Sequence, residues 1–119
     1  PYPAKDLIEE DNPLLMGVFG PTGQRKANFA LQNSDCVLSL TSGLNLAKVG
    51  FNYEGFAPKA KKIIIDVDKG QLTEQVVQPD YAIQATAEEF LQMFFEKTKN
   101  VSFKPSKDWL DACQNWKKK

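Results

Sequence analysis

The sequence predicts an α/β layer fold with a mainly parallel sheet, and three observations predict it. Lys62 to Val67 carries Ile63-Ile64-Ile65, β-branched throughout and apolar on both faces of a strand, the pattern of a strand covered from two sides. Cys36-Val37-Leu38-Ser39-Leu40 and Tyr81-Ala82-Ile83-Gln84-Ala85 are shorter runs of strand type. Helical stretches precede and follow them, and this order gives a sheet flanked by helices. Three strands is thin beside the usual five or so of a doubly wound domain. The sheet is therefore small, or its first strands precede Pro1 and lie outside the chain.

Each element has a local reason. Leu7 to Phe19 is interrupted by Asp11-Asn12-Pro13 and has no clear period, so it reads as an extended connector with one helical turn. After Gly20-Pro21-Thr22-Gly23, the run Gln24 to Ser34 sets Ala27, Ala30, Leu31 and Ser34 at i, i+3, i+4, i+7. That is the narrow small-residue stripe of a helix lying close on a sheet. The strand Cys36 to Leu40 ends at Thr41-Ser42-Gly43, and Leu44 to Phe56 reads as a loop with one short helix before Ala57-Pro58. Lys62 to Val67 is the strongest strand, and the third follows Pro79. Thr86-Ala87-Glu88-Glu89 is a capping box that opens a helix to about Lys97, with Ala87, Phe90, Leu91, Phe94 and Phe95 on one face. Lys99 to Pro105 reads as a linker. A last helix starts at Ser106, with Asp108 in its first turn and Lys117-Lys118-Lys119 at its end, both matching the helix dipole.

Composition removes several classes of function. At 119 residues the chain makes about one domain. Fifteen basic against fifteen acidic residues leave no net field to draw it to nucleic acid or an anionic membrane. No apolar run reaches the ~20 residues of a membrane span, and Pro1-Tyr2-Pro3 does not open a signal sequence, so a soluble chain is expected. A start without Met points to a segment of something longer, although trimming would look the same. Cys36 and Cys113 have no CxxC spacing and make no disulfide framework, which favours a reducing, cytoplasmic setting. Cys36 is expected inside a buried strand and Cys113 on an apolar helix face, so neither reads as an activated thiolate. The absence of His removes the commonest general base and metal ligand and argues against catalysis by this chain alone.

Four features carry candidate chemistry. The turn from Gly20 to Gly23 can offer backbone N–H groups to an anion at a helix start, or can be a plain turn that needs glycine. It is neither GxGxxG nor GxxxxGK[ST]. Asp66-Val67-Asp68 ends the central strand, where open α/β sheets bind ligands; an acid there can take a ribose hydroxyl or help hold a cation, or it can cap its own turn. Glu9, Glu10 and Asp11 form an acidic cluster that reads as a solvated loop or a metal site. Trp109, Leu110, Cys113 and Trp116 form an apolar stripe on the last helix, read as a face docked on another domain rather than a nucleic-acid or membrane surface.

The order of motifs then becomes informative. Phe19-Gly20-Pro21-Thr22-Gly23, the run Ala27 to Leu38, Phe56-Ala57-Pro58-Lys59-Ala60-Lys61 and Ile65-Asp66-Val67-Asp68 resemble, in order and spacing, the central domain of thiamine-diphosphate-dependent enzymes of the acetolactate synthase type. The resemblance covers roughly Leu7 to Phe95, and Trp109 to Lys119 is similar to the linker into the diphosphate-binding domain. It implies a Rossmann-like (DHS-like), mainly parallel sheet with flanking helices that lacks its first strands. It implies residues 1–98 as a partial central domain and 99–119 as a linker and helix leading to a following domain. The implied function is a non-catalytic scaffold segment. The parent would be a transferase, decarboxylase or lyase acting on a 2-oxo acid, with thiamine diphosphate and Mg held elsewhere. Its partners would be the remaining domains and further copies in a homo-oligomer, with no nucleic acid and no membrane.

In the flavin-binding members of the family, those that are acetolactate synthases themselves, this domain also holds FAD in a structural role. Gly20 and Gly23 match the glycine turn near the flavin, and Asp66 and Val67 match positions that meet its adenosine half. Where flavin-binding members have Arg-Phe-Asp-Asp-Arg, this chain has Leu44-Asn45-Leu46-Ala47-Lys48; Thr22 replaces a His and Thr86 an acid. These losses remove the clamp and the orienting hydrogen bonds, and they argue against FAD. The reading from a different class is a free-standing nucleotide-binding module using Gly20, Gly23 and Asp66. A third is an interaction domain that acts through exposed Trp109 and Trp116.

Overall fold

A computed structural model describes residues 2–118. Pro1 and Lys119, the last residue of the lysine run, lie outside the described residues. A 3-10 turn at Tyr2–Leu7 leads into irregular chain as far as α1 (Arg25–Asn33). β1 (Cys36–Leu40), the short α2 (Leu46–Val49) and β2 (Lys61–Asp66) follow. One further helical turn, α3 (Gly70–Thr73), precedes β3 (Tyr81–Gln84), and two helices complete the chain, α4 (Ala87–Thr98) and α5 (Lys107–Lys117). The three strands form a parallel sheet in the order β1-β2-β3. Crossovers between parallel neighbours need long connections, and here these hold α2 and α3.

The pairing register sorts the side chains into two faces, because residues opposite one another in a parallel pair point the same way. On one face lie Val37 and Ser39 of β1, Lys62, Ile64 and Asp66 of β2, and Ala82 and Gln84 of β3. The main core forms there, with Ile64 packed among Leu44, Phe56, Ala57, Ala60, Leu72 and Val77, and with Phe19, Leu31 and Val37 at its margin. Ala27 and Ala30 of the small-residue stripe are buried, and Leu31 and Ser34 are half-buried. Leu38, Ile63 and Tyr81 share the other face, as do Leu40, Ile65 and Ile83. Ile64 and Ile65 are 1% and 0% exposed, so the central strand is covered on both sides. Burial of two such side chains contributes about 2–3 kcal/mol each.

Several expectations change at the edges. Cys36 is exposed, contrary to its reading as part of a buried strand, and Leu38 is 44% exposed. The reason is that β1 is an outer strand whose second face has no layer over it. The central strand stops at Asp66, leaving Val67 exposed. α3 was not expected, because Asp68-Lys69-Gly70 reads locally as a turn; it is one turn long and buries Leu72. None of α4 is buried: Phe90 and Leu91 are half-covered, while Phe94, Phe95 and Met93 are exposed. A ladder of rings, Phe90 on Phe94 and Phe94 on Phe103, replaces part of the missing cover.

The tryptophan stripe docks within the chain. α5 packs on α1, with Trp116 stacked on Phe29 at 6.0 Å between centroids and Trp109 edge-on to Trp116 at 5.8 Å. Both indoles are half-buried and Cys113 is buried between the helices. Gln114 Nε2 and Lys117 Nζ donate to the Pro13 carbonyl at 3.0 and 2.6 Å and tie α5 to the opening segment. The expected contact with another domain is thus met by α1 of the same chain.

Candidate functional site

The glycine turn is built by the helix it precedes. Asn28, in the second turn of α1, reaches back so that its Oδ1 accepts from Gly20 N–H at 2.8 Å and its Nδ2 donates to the Gly20 carbonyl at 3.0 Å. Gly23 N–H donates to the Gly20 carbonyl at 2.9 Å, and Gln24 N–H to that of Val18 at 2.7 Å. Gln24 Oε1 accepts from Val18 N–H at 2.8 Å, which occupies the side chain that stands at the helix cap. Gly20 has φ +122°, a conformation open to glycine, and a Cβ on it would lie 3.1 Å from the Lys48 carbonyl. Gly23 is required by space instead: a Cβ there would stand 2.5 Å from the backbone of both Val18 and Phe19. The N–H groups that an anion would need at Gly20, Gly23 and Gln24 already have partners inside the turn.

Lys48 links this turn to the sheet. Its Nζ donates to the carbonyls of Ser42 and, at 3.0 Å, Gly43, which follow the exit of β1. Thr41 sits at that exit with φ 45° and donates its N–H to Ile65 at 2.8 Å, beside Asp66. A β-branched residue in the left-handed region is strained, and strain of this kind gathers where a chain must turn sharply at a sheet's rim. Gln75, buried, closes the same rim: its Oε1 accepts from Leu44 N–H at 2.9 Å and its Nε2 donates to the Gln71 carbonyl. Sequence reasoning singled out none of Asn28, Lys48 and Gln75 for these roles. Each bonds backbone far along the chain or around a turn, and spacing alone does not show that.

Asp66 is 7% exposed, and its Oδ1 accepts from Asp68 N–H at 3.0 Å. Asp68 in turn accepts from Gly70 N–H at 2.8 Å. The pair of acids therefore shapes the turn into α3, as the capping alternative has it. Val67 offers its side chain to solvent and its carbonyl to Gln84 Nε2 at 3.1 Å. The glycine turn and the acid share the rim at the carboxyl ends of the strands, joined through Lys48 and the Ser42-Gly43 segment, while each keeps its hydrogen bonds within its own loop.

The cavities adjoin the glycine turn and not the acid. One of 550 Å³ is walled by Ile8, Glu9, Glu10, Leu15, Val18 and Gln24, and an open hollow of 500 Å³ runs along α1 from Gly23 to Asn33. Neither reaches Asp66 or Val67. Glu9, Glu10 and Asp11 are exposed, and no group of three metal-ligating side chains occurs among the described residues. Burial pushes the Cys113 thiol above its ordinary range, with Lys117 opposing, so this thiol is held away from the reactive thiolate. Cys36 is exposed and unpaired. No helix among the described residues is long and apolar enough to cross a membrane.

Comparison with known proteins gives a consistent result. The family model described as thiamine pyrophosphate enzyme, central domain, matches residues 1–94. The chain is 30% identical over 106 residues to the acetolactate synthase isozyme 1 large subunit of Escherichia coli K12, covering 89% of this chain and 18% of that protein. It is 29% identical over 121 residues to the mitochondrial acetolactate synthase of Schizosaccharomyces pombe, covering 94% and 18%. A probable acetolactate synthase large subunit of Methanocaldococcus jannaschii is 28% identical over 114 residues, covering 96% and 19%. The chain thus spans about a fifth of the length of these relatives.

Proposed function

The chain belongs to the thiamine pyrophosphate enzyme central-domain family, and we propose that it serves as a non-catalytic scaffold within a longer acetolactate-synthase-like polypeptide. The observation that carries this reading is the match over residues 1–94, on a parallel sheet whose rim is closed by its own hydrogen bonds. The parent would decarboxylate a 2-oxo acid, as a synthase, simple decarboxylase or lyase. Thiamine diphosphate, when bound by the parent, supplies the carbanion-stabilising chemistry, with Mg at its diphosphate in the domains that hold it. The part played by this chain is to pack those domains and to organise subunits in a homo-oligomer. Residues 1–98 form its share of the central domain, and residues 99–119 lead toward the next. A cytoplasmic, reducing setting is supported by the two unpaired cysteines.

FAD does not fit this rim as it stands. The nucleotide-crevice residues Gly20, Gly23, Asp66 and Val67 are present. The Leu44–Lys48 run, however, brings one cation, and Lys48 spends it on the Ser42 and Gly43 carbonyls. Two measurements test the proposal. The mass of the intact polypeptide in its source should be several times that of this chain, and a mass of 13.4 kDa would overturn the reading. The purified longer protein should release CO2 from pyruvate or another 2-oxo acid only with thiamine diphosphate and a divalent cation. It should lack flavin absorbance; ADP or FAD binding at about millimolar ligand would instead favour a nucleotide-binding module.

A further inference from the structure

We infer that Lys48 is a built-in cation that closes the crevice at the carboxyl ends of the strands, bridging its two walls so that the chain itself, and not a bound nucleotide, holds the rim in shape. This goes beyond the scaffold reading and does not depend on it. Open α/β sheets take their ligands in such a crevice, between the loops at the strand ends. One wall here is the segment that leaves β1, and the other is the glycine turn before α1. Lys48 meets both. Its Nζ donates to the carbonyls of Ser42 and, at 3.0 Å, Gly43, while its own carbonyl lies so close to Gly20 that a Cβ there would stand 3.1 Å from it. An ordinary lysine in the last turn of a helix bonds that helix's own final carbonyls. Lys48 reaches instead to Ser42 and Gly43, which come before α2 begins at Leu46.

The backbone of the β1 wall is arranged for a cation. Thr41 and Gly43 both lie in the left-handed region, at φ 45° and 44°, on either side of Ser42. On that path the Ser42 and Gly43 carbonyls converge on one ammonium. A phosphate needs the opposite polarity, with backbone N–H groups directed at it. The N–H groups of this wall are committed elsewhere: Thr41 donates to the Ile65 carbonyl at 2.8 Å and Leu44 to Gln75 Oε1 at 2.9 Å. Those of Gly20 and Gly23 are taken up within the glycine turn. The left-handed Thr41 is costly because its side chain is β-branched. Hydrogen bonds from a charged donor are about twice as strong as neutral ones, and Lys48 is half-buried, so its two bonds offset that cost.

The test is hydrogen exchange read by mass spectrometry on the natural-length polypeptide and on its Lys48→Met variant, which keeps the apolar stem and loses the ammonium. Peptides spanning residues 41–44 and 18–24 should exchange roughly 10-fold faster in the variant, because α2 carries the Lys48 carbonyl against Gly20 and is released with the tether. The peptide spanning residues 107–117 should not change. Unchanged exchange in both walls would overturn the inference, and so would faster exchange in 41–44 alone, since the lysine would then hold one wall only. Acceleration spread evenly over the chain, residues 107–117 included, would report a general loss of stability and would also overturn it. A second measurement needs no variant: ADP or FAD at about millimolar concentration should leave exchange of both walls of the parent protein unchanged. Slower exchange there would show that the crevice takes a nucleotide with Lys48 in place, and would overturn the inference even if Lys48→Met failed to fold.

Discussion

Glycine 23 shows how much a single position can be required by space alone. A methyl group there meets backbone on two sides, and backbone, unlike the far end of a side chain, cannot swing away. Gly23→Ala should therefore cost about 1–3 kcal/mol, seen as a lower urea midpoint with an unchanged slope. An unchanged midpoint would mean that the loop before α1 opens freely and that its hydrogen bonds are not maintained. Both glycines of this turn stand out in the sequence, but the reason for them does not. The sequence favours a plain turn and leaves an anion site open beside it. Asn28, eight residues beyond Gly20 and bonded to both of its backbone groups, is what takes up the first of the N–H groups concerned. Asp66 is similar: its position at a strand end is legible, and its engagement with Asp68 N–H is visible only in three dimensions.

The best-defined local device at the scale of an element is the capping box of α4. Thr86 Oγ1 accepts from Glu89 N–H at 3.1 Å, and Glu89 Oε2 accepts from Thr86 N–H at 2.9 Å, as the spacing of the two residues predicts. The Thr86 backbone bond, followed by that of the Thr86 hydroxyl, holds the Glu89 carboxyl below its ordinary range. A lowered folded-state value means that this contribution is complete above the ordinary carboxylate range and disappears as pH falls through the lowered value. Thr86→Ala should destabilise the protein by about 1 kcal/mol at neutral pH. The gap in urea midpoint between the variant and the parent should narrow in acid. A gap that stays constant with pH would show that the bond from the Thr86 hydroxyl to the Glu89 carboxylate contributes nothing. The Asp80–Lys61 pair has the same acid sign at Asp80, whose carboxyl is lowered first by the Lys61 side chain and then by Lys62 N–H. Its Lys61 half is raised by Asp80 and loses its contribution only as pH rises through that raised value.

The closing contact at the scale of the whole molecule is between the two ends of the chain's helical sequence, α1 and α5. Trp116 on Phe29 and the Lys117 and Gln114 bonds to the Pro13 carbonyl hold α5 over α1 and the segment before it. Trp116→Ala should cost about 2–3 kcal/mol in lost aromatic contact and the hollow left behind. A thiol probe gives a direct readout. In the parent chain Cys36 should react quickly and Cys113 slowly, and in the variant Cys113 should become reactive as α5 lifts. A Cys113 that stays slow in the variant would show that Trp116 does not hold the helix down.

The sequence by itself determined the fold class, the existence and type of all but the shortest helices, and the family, because these depend on local pattern: β-branched runs, small-residue stripes, cap residues and motif order. It also determined that no histidine-based chemistry resides in this chain. Only the tertiary structure decided that β1 is an outer strand, that α4 buries none of its residues, and that the tryptophan helix folds back on α1. It likewise decided that the rim's polar groups bond one another. Those outcomes depend on what each face meets. An apolar run has the same pattern whether a layer covers it or not, and a buried acid has the same spacing whether it serves a ligand or its own turn.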